Sequence, residues 1–278
     1  MTADTFERSC AHWSEGGRAE MERFYEIASV DYRHLAEARD WRAWLASKSE
    51  TVGERPLRVL DVACGSGKFP QALARYGGIT GLAVPKIEYA LLDPSRFSID
   101  EARAALAPPF EPSTEFETTL QDLNCRDGAF DVVWATHALY AIPKAELKAG
   151  LRRLVDACSG EAFIAHACAD AHYIKFQRLY LAAFDRKAET PYTAAEDIAS
   201  ALKAIGVDFE ATDIVYENGA PETERTVIEG YLQRCVFDDA ASLDDMESSD
   251  ILRAYLDSCK RDGAWRFAQR VALFSIYP

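Results

Sequence analysis

Apolar residues recur in two rhythms along this chain. In the first fifty-five residues Phe6, Trp13, Phe24, Tyr25, Ile27, Leu35, Trp41, Trp44 and Leu45 stand among charged residues at spacings that a helix gathers on one side. Ser14-Glu15-Gly16-Gly17 interrupts that pattern and predicts a break or hinge. After Pro56 the rhythm changes to short apolar runs separated by amphipathic stretches, which predicts alternating strands and helices. Strands are expected at 57–62, 87–93, 114–120 and 130–135, with helices at 67–77 and 96–107 between them. Further on come a helix at 144–157 stopped by Gly160, a strand at 161–167, and helices at 171–185 and 193–205. Thr193-Ala-Ala-Glu196 has the spacing of a capping box for the second of these. A strand at 207–215, an inserted helical pair within 221–262 and a final strand at 265–277 complete the pattern.

This order divides the chain into an N-terminal helical arm, 1–55, and a strand–helix domain, 56–278, that carries the late insert. Arm and insert are the candidates for a cap over a site. Trp13 and Tyr25 in the arm would then line a pocket.

Composition narrows the function classes. The chain of 278 residues is 49% hydrophobic and 27% charged, ordinary for a soluble globular protein. Its formal net charge of −14 repels a polyanion such as DNA or RNA, and favours a neutral or cationic small substrate. Seven cysteines at 10, 64, 125, 158, 168, 235 and 259 include no Cys-x-x-Cys pair, so neither a disulfide framework nor a zinc site is expected, and no metal is called for. Acids near the N-terminus stand where a signal peptide needs a basic and then an apolar stretch, and no apolar run approaches the length of a membrane span. A cytoplasmic protein without membrane or nucleic-acid partners is the expectation.

The chemistry is concentrated in Val59-Leu-Asp-Val-Ala-Cys-Gly-Ser-Gly-Lys-Phe69. A buried strand runs there into a small-residue loop that reopens as a helix, so the backbone at Gly65, Ser66 and Gly67 can approach a ligand closely. A dinucleotide fingerprint needs a third glycine where Pro70 stands, and a P-loop needs Ser or Thr where Phe69 follows Lys68. Asp61 repels phosphate and suits an ammonium group instead. Asp-x-Ala-Cys-Gly-x-Gly after a strand resembles the first motif of class I S-adenosylmethionine (SAM)-dependent methyltransferases.

Three later stretches fall in register with that motif. Asp93, at the end of the second strand with Pro94 beside it, is placed to accept the two hydroxyls of a ribose. Gln121-Asp122-Leu123, following the third strand, suit an adenine, with Asp122 accepting from the amine and Leu123 packing on the ring. The fourth strand runs into Thr136-His137, which would lie beside a bound sulfonium and is the candidate for chemistry. His137 would take a proton from the acceptor or orient it by a hydrogen bond. His166 and His172 are second candidates, and His12 and His34 are read as structural. The Asn/Asp-Pro-Pro-Tyr/Phe motif of nucleic-acid amino methyltransferases is absent.

Over most of its length the chain also looks like the histamine N-methyltransferase group, through Leu91-Leu-Asp-Pro-Ser95, Ala138-Leu-Tyr140, Tyr192-Thr-Ala-Ala-Glu-Asp-Ile198 and Cys235-Val-Phe237. The resemblance implies a Rossmann-like class I methyltransferase fold, a seven-stranded mostly parallel sheet with helices on both faces, capped by the arm and the insert. It implies that Gly65, Asp93, Ser98 and Thr136 hold SAM, and that Tyr140, Tyr173 and Phe237 form an aromatic substrate pocket. Where the group has a glutamine on the acceptor this chain has His137, and Gln269 takes the place of a C-terminal asparagine. The group's N-terminal substrate-binding glutamate has no counterpart, Gly16 or Gly17 standing there beside Glu15. The implied activity is methyl transfer from SAM to a small-molecule amine or imidazole nitrogen, leaving S-adenosylhomocysteine (SAH). The alternatives are an O-methyltransferase acting on a carboxylate or phenol, aminopropyl transfer from decarboxylated SAM, and a SAM-binding module without catalysis.

Overall fold

The computed structural model describes residues 5–186 and 189–278; residues 1–4 of the expected arm lie outside them. The arm consists of α1 (Thr5–His12), α2 (Arg18–Glu37) and α3 (Trp41–Val52), and the Ser14–Gly17 break is a short 3-10 turn between the first two. Asp40 caps α3 by accepting from the Ala43 amide at 2.9 Å.

Five parallel strands follow: β1 (Leu57–Val62), β2 (Ile87–Leu92), β3 (Phe110–Phe116), β4 (Phe130–Thr136) and β5 (Cys158–Ala167). Helices α4 (Lys68–Tyr76), α5 (Arg96–Ala105) and α6 (Lys144–Ala157) stand between them in the chain, and α7 (His172–Ala183) and α8 (Ala195–Ala204) come after β5. Then β6 (Phe209–Asn218) leads to α9 (Arg225–Val236), α10 (Leu243–Ser248) and α11 (Asp250–Ser258), and the two-residue strands β7 (Lys260–Arg261) and β8 (Ala264–Trp265) precede β9 (Phe267–Ile276). The large sheet has the order β3-β2-β1-β4-β5-β9-β6, and β9 runs antiparallel to both β5 and β6. This is the seven-stranded, mostly parallel sheet that the resemblance implies.

Several boundaries differ from the expected ones. The third strand lies at Phe110–Phe116 rather than 114–120, because the chain pairs with β2 immediately after its prolines; Pro112 is tolerated since β3 is an edge strand. Gly160 does not stop a helix. It lies inside β5, where a Cβ would come within 2.4 Å of the Asp131 carbonyl oxygen of β4. The capping of α8 is shifted by one residue: Asp197 accepts from the Ala194 amide at 3.0 Å, and the Thr193 hydroxyl donates to the Ile142 carbonyl instead. The late insert holds three helices, not two, and the last strand begins at Phe267.

Two cores flank the sheet. On one face Trp41, Phe69, Trp134 and Phe163 meet with edge-to-face and stacked rings; on the other Leu147, Leu151, Ile198 and Leu202 cover the strands. A third cluster joins α2, α7 and the insert through Ile27, Tyr173, Phe176, Tyr231 and Leu232. It holds α2 across the carboxyl ends of the parallel strands. Among the described residues no helix is long and apolar enough to cross a membrane.

Candidate active site

In a sheet of this kind the crevice outside the strand carboxyl ends is the place for a ligand. Here it is a cavity of about 180 Å³. Its floor begins with the loop after β1, where Ala63, Gly65 and Gly67 take left-handed φ values of 51°, 51° and 69°. The two glycines serve different ends. A Cβ on Gly67 would lie 3.0 Å from Cα of Ala102, so this glycine lets α5 pack against the loop. A Cβ on Gly65 would point to the space under Tyr25, 3.8 Å from its hydroxyl, so this one keeps the cavity open. Ser66 is buried between them, and like Gly67 it is absent from the cavity wall.

Asp93 follows β2 and is 7% exposed. Its carboxylate accepts from the Gly65 amide at 3.1 Å and the Ser95 amide at 2.9 Å, leaving lone pairs on both oxygens. Burial pushes its pKa up to about 6, against these donors. Pro94 lines the cavity, whereas Ser98 lies behind Asp93 on α5. Asp61 on β1 accepts from the Tyr89 hydroxyl at 2.8 Å, which in turn accepts from the Trp134 indole at 3.1 Å. Burial raises its pKa to about 7.

After β3 the cavity is lined by Thr119, Leu120 and Gln121. Asp122 and Leu123 do not reach it: Asp122 accepts from the Thr119 hydroxyl at the surface, and Leu123 is buried in the core beneath α6. The earlier position of β3 explains this shift, since Asp122 stands six residues beyond its end rather than two.

After β4, Thr136 and His137 line the cavity. His137 has a left-handed φ of 53°, uncommon for this residue type, and its amide donates to the Ala165 carbonyl at 2.9 Å. Nδ1 lies 2.7 Å from the Tyr140 hydroxyl, and Nε2 is buried without a partner. Burial pushes the imidazole pKa down to about 3, with the nearby His166 adding to the effect. The ring is therefore neutral and a poor proton acceptor, unlike the near-6.5 base expected from its position. His166 lies behind Tyr140, with ring centroids 4.1 Å apart and Nε2 2.9 Å from the Thr193 carbonyl. His172 is buried against Phe176 and Tyr255. Neither lines the cavity.

The roof comes from the arm and the insert. Trp13, Phe24, Tyr25 and Tyr32 line it from the arm, Tyr173 and Tyr192 from the far side, and Phe237 from a left-handed residue at the end of α9. Tyr25 stands over the glycine loop with Lys68 against its face, and Tyr32 meets the His137 ring edge-on at 5.8 Å. Gln269 is one layer back, where its amide donates to the Tyr231 hydroxyl at 3.4 Å.

Two charged cavity residues escaped the sequence reading. Asp31 on α2 is 2% exposed; it accepts from the Tyr173 hydroxyl at 2.5 Å and the Asn218 amide at 2.8 Å, with no ion pair among the described residues. Burial raises its pKa to about 7. Arg234 on α9 is equally buried. Both sit on the apolar stripes of their helices, Asp31 between Ile27 and Leu35 and Arg234 beside Tyr231 and Cys235, and that misplacement of charge is the signal that marks them.

A model of the methyltransferase domain matches residues 59–161, from β1 into β5. No curated protein matches the sequence. Among solved structures, magnesium protoporphyrin IX methyltransferase (ChlM) from Synechocystis PCC 6803 with bound SAH aligns at a TM-score of 0.57 and 14% identity, over 99% of this chain and 100% of its own. The YcgJ protein from Bacillus subtilis aligns at 0.51 and 14% identity, over 84% of this chain and 97% of its own. A Thermotoga maritima protein named a possible histamine N-methyltransferase (TM1293) covers 96% of this chain and 99% of its own at 11% identity, but its TM-score of 0.49 carries no argument about the acceptor. Such identities speak to the fold. Residues 59–161 are thus a methyltransferase domain, set in the fold that class I SAM-dependent methyltransferases share.

Proposed function

We propose that this enzyme transfers the methyl group of SAM to a nitrogen of a small amine. The observation that carries the nitrogen reading is Asp31: a buried carboxylate, with no ion pair among the described residues, at a cavity wall that Tyr32, Tyr140 and Tyr173 also line. A buried acid in that state is costly unless a positive group joins it. Aromatic faces add attraction for the same group. A carboxylic acid or phenol acceptor would bring a second negative charge or a second weak acid to Asp31, and gains nothing from it.

The residues present fit the cofactor. A side chain at Gly65 would intrude on the space under Tyr25, and Asp93 keeps lone pairs free for two hydroxyls. Asp61 offers a carboxylate for an ammonium group, and Leu120 with Gln121 supplies the apolar face and amide that suit an adenine, in place of the expected Asp122 and Leu123. When bound, SAM supplies a methyl group on a positively charged sulfur. The catalytic contribution of the chain is then positioning and exclusion of water, which hold the acceptor nitrogen in line with that methyl.

Asp31 partners the positive charge that an amine carries before it loses a proton and regains on methylation. His137 contributes an uncharged hydrogen-bonding group beside the acceptor. Tyr32, Tyr140 and Tyr173 enclose the acceptor body. The arm, 1–55, acts as the lid of the SAM-binding domain, 56–278.

The test is methyl transfer from labelled SAM across matched panels of small aromatic amines, imidazoles, carboxylic acids and phenols. Label on nitrogen, lost in Asp31→Asn, is the expected result. Turnover confined to acids or phenols and insensitive to that substitution would contradict the nitrogen reading. Tight SAM binding without turnover of any panel would leave a binding module.

A further inference from the structure

We propose that Arg234 is a carboxylate-recognition residue, placed to take the methionyl carboxylate of the cofactor and to couple that contact to closure of the N-terminal arm. The proposal rests on the SAM reading above. Three observations carry it. Arg234 lines the cavity while only 2% exposed, and it has no ion pair among the described residues, Asp239 and Glu20 acting on the buried guanidinium only from beyond contact distance. Its Nη1 donates to the His12 carbonyl at 2.5 Å and its Nη2 to the Gly17 carbonyl at 3.0 Å, but Nε is buried with no partner. Two of its five N–H donors are thus spent on the arm, and Nε is the nitrogen left without a partner.

Its position selects the kind of ligand. The guanidinium lies 5.3 Å from the centroid of Trp13, and Trp13 lies 6.0 Å from Tyr25, the ring above Gly65. The Trp13 carbonyl also accepts from the Ser95 hydroxyl at 2.5 Å, two residues beyond Asp93. These contacts put Arg234 on the glycine-loop side of the cavity and Asp31 on the side of Tyr173 and Asn218. An amino-acid ligand at the loop carries one ammonium and one carboxylate. Asp61 suits the first and Arg234 the second.

The same guanidinium fastens both sides of the 12–17 turn. A carboxylate joining it neutralises the buried charge only while the turn is in place, so the ligand that carries one also holds the arm down.

Calorimetric titration of wild type, Arg234→Gln and Arg234→Lys with SAH, SAH methyl ester and 5′-methylthioadenosine separates the possibilities. The ester removes the negative charge, and the nucleoside lacks the amino-acid end. Wild type is expected to bind SAH about 10- to 100-fold more tightly than the ester, and Arg234→Gln to bind the two alike while holding the nucleoside within about twofold of wild type. Arg234→Lys keeps the charge and so part of the preference. SAH is also expected to protect the 12–17 turn from proteolysis in wild type, and the nucleoside to protect it less. Equal loss of all three ligands in a folded Arg234→Gln would overturn the proposal in favour of a clasp alone. An unchanged preference for SAH over its ester, with a raised KM for carboxylate-bearing acceptors, would overturn the cofactor assignment and move the carboxylate to the acceptor. Failure of wild type to bind SAH and the nucleoside alike would instead remove the SAM reading itself.

Discussion

The hydroxyl of Tyr140 lies 2.7 Å from Nδ1 of His137. Burial keeps Tyr140 protonated well above the usual range and keeps the His137 ring neutral, so the two share a hydrogen bond between uncharged groups. His137 is thus a neutral hydrogen-bonding group. The rate of methyl transfer should show no inflection near pH 6.5 from this residue. His137→Gln, which keeps a donor, should retain activity within about tenfold, and His137→Ala should lose roughly 100-fold. A pH–rate profile of the three proteins checks this; a wild-type ionisation near 6.5 abolished in His137→Gln would restore the general base.

Asp31 gives a prediction with a sign. Its pKa of about 7 lies above the ordinary carboxylate value, so the folded protein binds this proton more tightly than the unfolded chain. The stability that the proton supplies is therefore present at low pH and is lost as pH rises through 7. Asp31→Asn, always neutral, should stabilise the ligand-free protein more at pH 8 than at pH 5, the difference being on the order of 2 kcal/mol. Urea unfolding at the two pH values measures it. The same variant should lose turnover of amines.

The glycines of the loop should separate in experiment. Gly67→Ala places a Cβ 3.0 Å from Cα of Ala102 on a left-handed backbone, and should destabilise the fold by about 2–3 kcal/mol. Gly65→Ala meets no backbone atom within that range and should cost less stability but weaken SAH binding. Denaturant midpoints and calorimetry on both variants give the comparison.

Much of the sheet is readable from sequence because each buried strand is a short apolar run bounded by a turn, and the glycine loop because its residue types are dictated locally. What depends on packing between distant elements is not. Asp31 acquires its meaning only when β6, α7 and α9 close around α2, bringing Asn218 and Tyr173 to an acid that looks like one more charge on a helix. Asp122 and Leu123 miss the cavity because pairing with β2 starts four residues earlier than the apolar pattern indicates, carrying the whole following turn with it. Gln269 and His166 lie one layer behind the residues that face the cavity, a distinction of depth to which spacing along a strand is blind.

If the crevice at the strand ends takes SAM with Asp93 on the ribose, calorimetric titration of wild type and Asp93→Ala with SAM and SAH will show it. Micromolar binding of both ligands by wild type and a loss of about 100-fold in the variant are expected, since two hydrogen bonds to a charged acceptor disappear together. Folded wild-type protein that binds neither ligand would contradict that placement of SAM.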